Sequence, residues 1–457
     1  MRRWNPPLDI AVGIRRWTKS RLGIMLLSTL FTQHFGTMPT TLDLVGMSRH
    51  MIRVGAALGL CATSVCVSYA QPARNARPAP SVAGSDQEPG VVRLTPIRTI
   101  GSLDGPPEYA FGQLTEMAVD KRGRLYTYDQ KDHQLRAYDA AGKFVAKIGR
   151  RGSGPGEYQS VVGLTVVADS FIATHDPSLA RISLFAPSGK LYRTISEPRA
   201  TTWGGASFFA DNAGRVFVRI SVRKPGAREG SEGPEAIAGA RFLGFDTNGR
   251  LVDSISVAFP KLAKPQPRGF YLMLAEGGHM AFLPEPTVVP SPTGAIIAGT
   301  GETMRFSITP RTGAPRMVEE PWTPVALTSG ERANWEQWAT YISTQDKGRF
   351  TYTIPSRKPA YNDIRVDLDG RIWVSVFAAA EKRDITPRGA SDTRPLLVWR
   401  QRATFNVYST AGAFLGRVEL PPLQGLIQVA GDQLFAMGKG PDDEQIITVY
   451  RVSGLKR

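Results

Sequence analysis

The chain has 457 residues and a formal charge of +16. Residues 1–70 hold 8 Lys/Arg against 2 Asp/Glu, leaving 48 against 38 and a net of +10 for the rest, so much of the basicity is leader sequence and there is no case for a nucleic-acid partner. Both cysteines, Cys61 and Cys66, precede residue 71, so a chain cut there has no disulfide, thiolate metal site or cysteine nucleophile.

Residues 47–70 have the build of a secretory signal. Arg49 and Arg53 start it, an apolar run spans Val54 to Val67, and Ser68-Tyr69-Ala70 offers a small-residue cleavage site. The run is shorter than the roughly 20 residues of a membrane span. A second apolar run, Leu22 to Phe31, follows Arg15-Arg16. Two export signals in series make little physical sense, so translation is expected to start at Met47 or Met51. Cleavage near Ala70 predicts a secreted or periplasmic chain with no transmembrane span. Residues 71–90 are Pro, Ala, Ser and charge without periodicity, and read as a disordered linker.

From residue 91 the pattern is short alternating strands separated by tight turns. Leu114 to Val119, Arg124 to Asp129, Gln134 to Tyr138 and Lys143 to Ile148 make one four-stranded antiparallel unit. Its two hairpins turn at Asp120-Lys121-Arg122-Gly123 and Asp139-Ala140-Ala141-Gly142. Asp caps the turn backbone and Gly supplies positive φ. The second hairpin turn recurs with Gly142, Gly189, Gly249, Gly313, Gly412 and Gly454. The first recurs at Gly123, Asp169-Ser170, Gly214, Gly294, Gly370 and Gly431-Asp432. Six paired turns predict an all-β, six-bladed β-propeller over residues 91–457. The sixth unit lacks a fourth strand, and Val91 to Ile100 is a strand without a blade, so the N-terminal strand is expected to close the ring.

Spacings locate the insertions. Gly123 to Gly142 and Gly294 to Gly313 are each 19 residues, whereas Gly214 to Gly249 is 35 and Gly370 to Gly412 is 42. Extra residues therefore fall at Ser221 to Gly239 and Ala378 to Arg402 within blades, and at Ala258 to Leu283 and Met317 to Ala360 between blades. All four belong to one face of a propeller, opposite the tight hairpins. Within Met317 to Ala360, Thr328 and Glu331 read as a capping box. Trp335, Trp338, Ala339 and Ile342 make one apolar stripe of a helix, either a plug across the ring or an aromatic shelf for a ligand.

Catalytic signatures such as HExxH, Gly-x-Ser-x-Gly or a P-loop are absent. His133, His175 and His279 are scattered, and three imidazoles on the elaborated face would be one route to zinc. Asp442-Asp443-Glu444 is an acidic loop open to a cation, calcium first. Asp367-Leu368-Asp369-Gly370 resembles a calcium loop but lacks its distal Glu and aligns with the other hairpin turns. Arg150 and Arg151 flank a Gly-rich interblade connection.

The run from Arg124 to Tyr158, with Leu135-Arg136-Ala137-Tyr138-Asp139 and Gly152-Ser153-Gly154-Pro155-Gly156-Glu157-Tyr158, resembles the NHL-type repeat of bacterial six-bladed propellers. Blade two repeats it as His175-Asp176, Arg181 to Phe185 and Gly189-Lys190-Leu191. The resemblance implies the fold. Its relatives include protein-binding modules, sugar-lactone hydrolases with an axial Glu, Asn and Asp metal set, and a metal-dependent lyase with axial histidines. Neither ligand set is assignable from this sequence.

The reading is thus a monomer acting as a binding or scaffolding module for a protein or an anionic saccharide. The alternative is a metal-dependent lactonase-like hydrolase or lyase. Trp335, Trp338, Arg388 and Arg394 are the expected ligand-binding residues. The charge follows from Ala378 to Arg402, with six Lys/Arg against Glu381, Asp384 and Asp392.

Overall fold

A computed structural model describes residues 92–197, 208–227, 236–263, 282–345, 354–384 and 394–456. The signal, the linker, His279 and Arg388 lie outside the described residues.

The first strand, β1 (Arg93–Ile100), precedes blade one, which comprises β2 (Leu114–Val119), β3 (Leu125–Asp129), β4 (Gln134–Tyr138) and β5 (Phe144–Ile148). The Gly-rich connection holds a two-residue parallel pair, β6 (Arg150–Arg151) and β7 (Glu157–Tyr158). Blade two is β8 (Gly163–Val167), β9 (Phe171–Asp176), β10 (Arg181–Phe185) and β11 (Leu191–Ser196). Blade three is β12 (Phe208–Ala210), β13 (Val216–Arg223), β14 (Ile237–Phe245) and β15 (Leu251–Ala258). Blade four is β16 (Thr287–Pro290), β17 (Ile296–Gly299), β18 (Arg305–Thr309) and β19 (Arg316–Glu319). The helix α1 (Ser329–Gln345) follows. Blade five is β20 (Tyr361–Val366), β21 (Ile372–Val376), β24 (Thr404–Tyr408) and β25 (Phe414–Glu419), with a small hairpin, β22 (Glu381–Lys382) and β23 (Trp399–Arg400), inserted. Blade six is β26 (Gly425–Ala430), β27 (Gln433–Lys439) and β28 (Gln445–Ser453).

The fourth strand of blade six is β1, which pairs antiparallel with β28 from Arg93↔Ser453 to Ile100↔Ile447. The ring closes as the sequence predicts. Arg98 Nη2 donates to Gln433 Oε1 at 2.7 Å, and Leu114 N donates to Gln445 Oε1 at 2.7 Å, tying blade six to the N-terminal strand and to blade one.

Turn chemistry explains the repeat. Asp120, Asp211 and Asp367 each accept two backbone N–H bonds through one oxygen, and their other oxygen pairs with Arg124, Arg215 or Arg371 four residues on. Asp139 and Asp246 cap the second hairpins alike, and Ser409 does so with its hydroxyl. The six glycines of the second hairpin turn all have φ between 79° and 104°, the left-handed region that other residues enter at a cost.

Apolar strand faces pack blade against blade, giving six core clusters, one per blade interface. They differ in size. Among the described residues, five of them hold ten or more buried residues, whereas the cluster between blades three and four holds five: Phe217, Ala240, Phe242, Val288 and Ile296.

Candidate functional site

Blades three and five carry the insertions between their second and third strands. The strands β13 and β14 run 8 and 9 residues where their blade-one counterparts run 5. Part of the insertion expected at Ser221 to Gly239 is therefore strand. The extra strand residues pair Ile220 to Arg223 of β13 with Ile237 to Arg241 of β14, and Arg219 on β13 stands 5.3 Å from the Phe259 ring centroid. Burial holds its guanidinium below the usual arginine range.

The helix α1 forms where expected, and Glu331 N donates to Thr328 Oγ1 at 3.1 Å. The capping box is only half made, because the Glu331 carboxylate turns away to Lys358 Nζ, 2.7 Å off. Both side chains are nearly inaccessible, at 0% for Lys358 and 3% for Glu331. Lys358 Nζ also donates to Ala378 O at 2.8 Å and lies 5.3 Å from the Phe282 ring centroid. Burial lowers the Lys358 pKa, against the opposing pull of Glu331. Asn334, also buried, donates to Leu396 O and accepts from Val398 N, and Arg332 bonds Ile354 O and Pro355 O. At Gly330 a Cβ would lie 2.5 Å from Trp399, so the helix start sits directly on that indole. The helix is thereby pinned to segments 354–358 and 396–399 by polar groups that an apolar-stripe reading cannot see.

The aromatic residues separate. Trp338 is 2% exposed and part of the packing. Trp335 is partly exposed and meets Phe282 edge-on at 5.3 Å, and Phe282 in turn lies 5.7 Å from Phe377. Arg394 is partly exposed. Of the other basic groups here, Arg383 pairs with Glu381, and Arg402 pairs with Glu381 and Glu419. Burial lowers the pKa of Arg400.

The two described histidines have separate partners. His175 is fully buried, stacked on Phe208 at 5.4 Å, with Nε2 2.5 Å from Glu197 Oε2. His133 lies 3.2 Å from the Tyr128 hydroxyl, and burial lowers its pKa with help from the Arg151 charge. In the acidic loop, Asp443 pairs with Lys439, Glu444 Oε2 accepts from Asp442 N, and Asp442 is exposed. Among the described residues, no group of three or more His, Cys, Asp or Glu is arranged to hold a metal ion. Arg150 pairs with Glu157 at 2.7 Å, and Arg181 bonds Gly154 O and Glu157 O, which makes the Gly-rich connection a braced interblade joint.

Register exposes what the sequence hides. The first strands of blades one, five and six, β2, β20 and β26, each break step after one irregular residue, Thr115, Asn362 and Ile427, which puts Glu116, Asp363 and Gln428 at equivalent places in their blades. Asp363 pairs with Arg365 at 3.0 Å, and Gln428 Oε1 accepts from Val429 N. No hydrogen bond or ion pair joins Glu116 to a described residue. Desolvation pushes its carboxyl up to about 8, although the residue stays partly accessible. A single carboxylate on the first strand of a blade has no sequence signature apart from the register.

A family model, DUF5128, described as a 6-bladed beta-propeller, matches residues 102–174, which span blade one and the start of blade two. No curated protein matches the sequence. Among solved structures, a DUF4221 family member from Bacteroides vulgatus is 12% identical with TM-score 0.47, covering 80% of this chain and 99% of that one. Virginiamycin B lyase from Staphylococcus aureus is 10% identical with TM-score 0.36, covering 79% and 99%. The PQQ-bound aldose sugar dehydrogenase from Streptomyces coelicolor is 10% identical with TM-score 0.39, covering 80% and 99%. At these values the likenesses carry no argument about activity.

Proposed function

We propose that this six-bladed propeller is an extracytoplasmic binding or scaffolding module that takes a protein or an anionic saccharide on its elaborated face. The observation that supports it most is the contrast between the faces. On the hairpin face Asp120, Asp139, Asp211, Asp246, Asp367 and Ser409 spend their side chains on their own turns. The opposite face invests a buried ion pair and an amide clamp in fixing one helix, which holds Trp335 partly open to solvent. A rigid aromatic on a braced element is what a binding surface needs, because little entropy is lost when a ligand docks. Trp335, Arg394 and Arg388 are the residues assigned to that contact, with Trp338 as the packing beneath it. The NHL-like repeat and a signal cleaved near Ala70 belong to the same reading, as does a monomeric state. Among the described residues no helix is long and apolar enough to cross a membrane.

The experiment is a fluorescence titration with sulfated and uronic-acid oligosaccharides alongside neutral ones. Saturable quenching by acidic oligosaccharides that Trp335→Phe reduces supports saccharide binding, and a response shared by neutral sugars contradicts the charge preference.

One observation favours the enzymatic alternative. Glu116, protonated over much of the neutral range and partly accessible, has the character of a general acid. A Glu116→Gln variant that keeps ligand binding but abolishes turnover of a lactone or glycosidic substrate would move the assignment to catalysis.

A further inference from the structure

Among the described residues no fifth strand pairs with the outer strand of any blade, and such edges are commonly protected by charged side chains, Lys above all, or by Pro. Five of the six follow that rule. Lys147 lies on β5, Arg193 on β11, Arg316 on β19 and Arg417 on β25, while β1 carries Arg93, Pro96 and Arg98. The exception is β15, Leu-Val-Asp-Ser-Ile-Ser-Val-Ala, which has no Lys, Arg or Pro. At 8 residues it is also longer than the outer strands of blades one, two, four and five. Leu251 is 57% exposed and Val252 49% exposed.

A groove of about 550 Å³ runs beside this edge. One bank is the continuous run Ser254 to Ala258. The other is the blade-four face, with Ile296, Ala298, Ser307 and Thr309. It lies at the interface whose buried core is, among the described residues, the smallest of the six. At one end the Asp253 carboxylate is shared by Arg215 at 2.8 Å and Arg311 at 2.5 Å, and Arg215 also holds Asp211, so two carboxylates balance two guanidiniums. Among the described residues no strand pairs with the outer side of β15, whose one charge, Asp253, is held by Arg215 and Arg311; the wall beside it carries small and hydroxyl side chains, and the ionic groups at its end balance.

We propose that β15 is a receptor edge for an extended peptide of another protein, which adds as a fifth strand to blade three and rests alternate side chains on Ala298, Ser307 and Thr309. A peptide fits better than a second copy of this chain. Antiparallel pairing of two β15 strands needs a twofold axis normal to the sheet, which brings both blade-four walls to the same side of the joined sheet and into the same narrow groove. The neutral lining calls for a peptide of small, uncharged, alternating character. Its affinity comes chiefly from main-chain hydrogen bonds. This surface is on the rim of the ring and does not depend on the elaborated-face reading.

The test uses the whole protein and a fluorescent, end-capped peptide of about eight residues alternating valine with serine or threonine. A second peptide with the same side chains is N-methylated at alternate amides. Anisotropy should show saturable binding of the first peptide, loss of binding by the second, and weakening by about tenfold or more in Ser254→Lys with Ser256→Lys. Both serines are exposed, but Ser256 Oγ accepts from Arg241 at 3.1 Å, so the melting temperature is measured alongside and Ser254→Lys alone, which should melt with the wild type, carries the comparison if the double variant does not. The proposal is overturned by no binding at about 1 mM, or by equal binding of the N-methylated peptide or of the lysine variant. It is also overturned if sedimentation shows a wild-type dimer that the lysines dissociate, because the occupant is then a second copy.

Discussion

Lys358 Nζ and the Glu331 carboxylate face each other at 2.7 Å with neither side chain open to water. A buried pair of this kind owes its stability to being complete, since removing one partner leaves a charge without compensation in low dielectric. Lys358→Met alone should therefore cost about 3–5 kcal/mol. Lys358→Met with Glu331→Leu should recover most of it. Urea unfolding of the two variants checks this, and a double variant no better than the single one would mean the pair is not the latch.

Ring closure makes the second prediction. Deleting residues 92–100 removes the partner of β28 and one bank of the blade six to blade one core, where Ile100 packs with Phe435 and Ile447. The truncated protein should melt lower and associate through the exposed β28 edge. Calorimetry with light scattering measures both. An unchanged melting temperature in a monodisperse protein would contradict the closure energetics.

Turn aspartates should rank by burial and by the bonds they accept. Asp211 is buried and accepts two backbone N–H groups and the Arg215 guanidinium, so Asp211→Ala should cost roughly 2–4 kcal/mol. Ser409 accepts longer bonds at 3.1 and 3.3 Å in an exposed turn, and Ser409→Ala should cost about 1 kcal/mol or less. Thermal unfolding of the two variants gives the order, and equal effects would refute it.

The fold was legible because turn chemistry repeats: a positive-φ Gly stands fourth in all six second hairpin turns, and Asp or Ser stands first in three of them, Asp139, Asp246 and Ser409. Strand closure followed from counting. The site was less legible. The stripe Trp335, Trp338, Ala339 and Ile342 located the helix, but its anchors are Glu331, Asn334 and Lys358, polar residues whose burial depends on partners distant in sequence. Glu116 is an acid in an ordinary alternating strand until the bulge at Thr115 shifts its register and the fold desolvates it. His175 looked free to bind a ligand, yet it is enclosed by Phe208 and Glu197.

Glu116 gives a pH prediction. Its carboxyl holds a proton in the folded state up to about 8, whereas the unfolded chain releases it in the ordinary carboxyl range. Unfolding between these limits releases a proton, so this residue's contribution to stability falls as pH rises to about 8 and is level above it. Glu116→Gln should flatten that part of the stability profile. Denaturant unfolding across the window reads it, and identical profiles would show that the residue titrates normally.

The claim that binding belongs to the elaborated face is tested most directly by matched charge removal. An acidic oligosaccharide that quenches the wild-type protein is titrated calorimetrically against Arg388→Gln with Arg394→Gln, and against Lys143→Gln with Lys190→Gln. Lys143 and Lys190 are exposed beside the opposite hairpins. The account predicts that the arginine pair weakens binding by about tenfold while the lysine pair leaves it unchanged, both proteins remaining folded. Equal loss from the two pairs would contradict it.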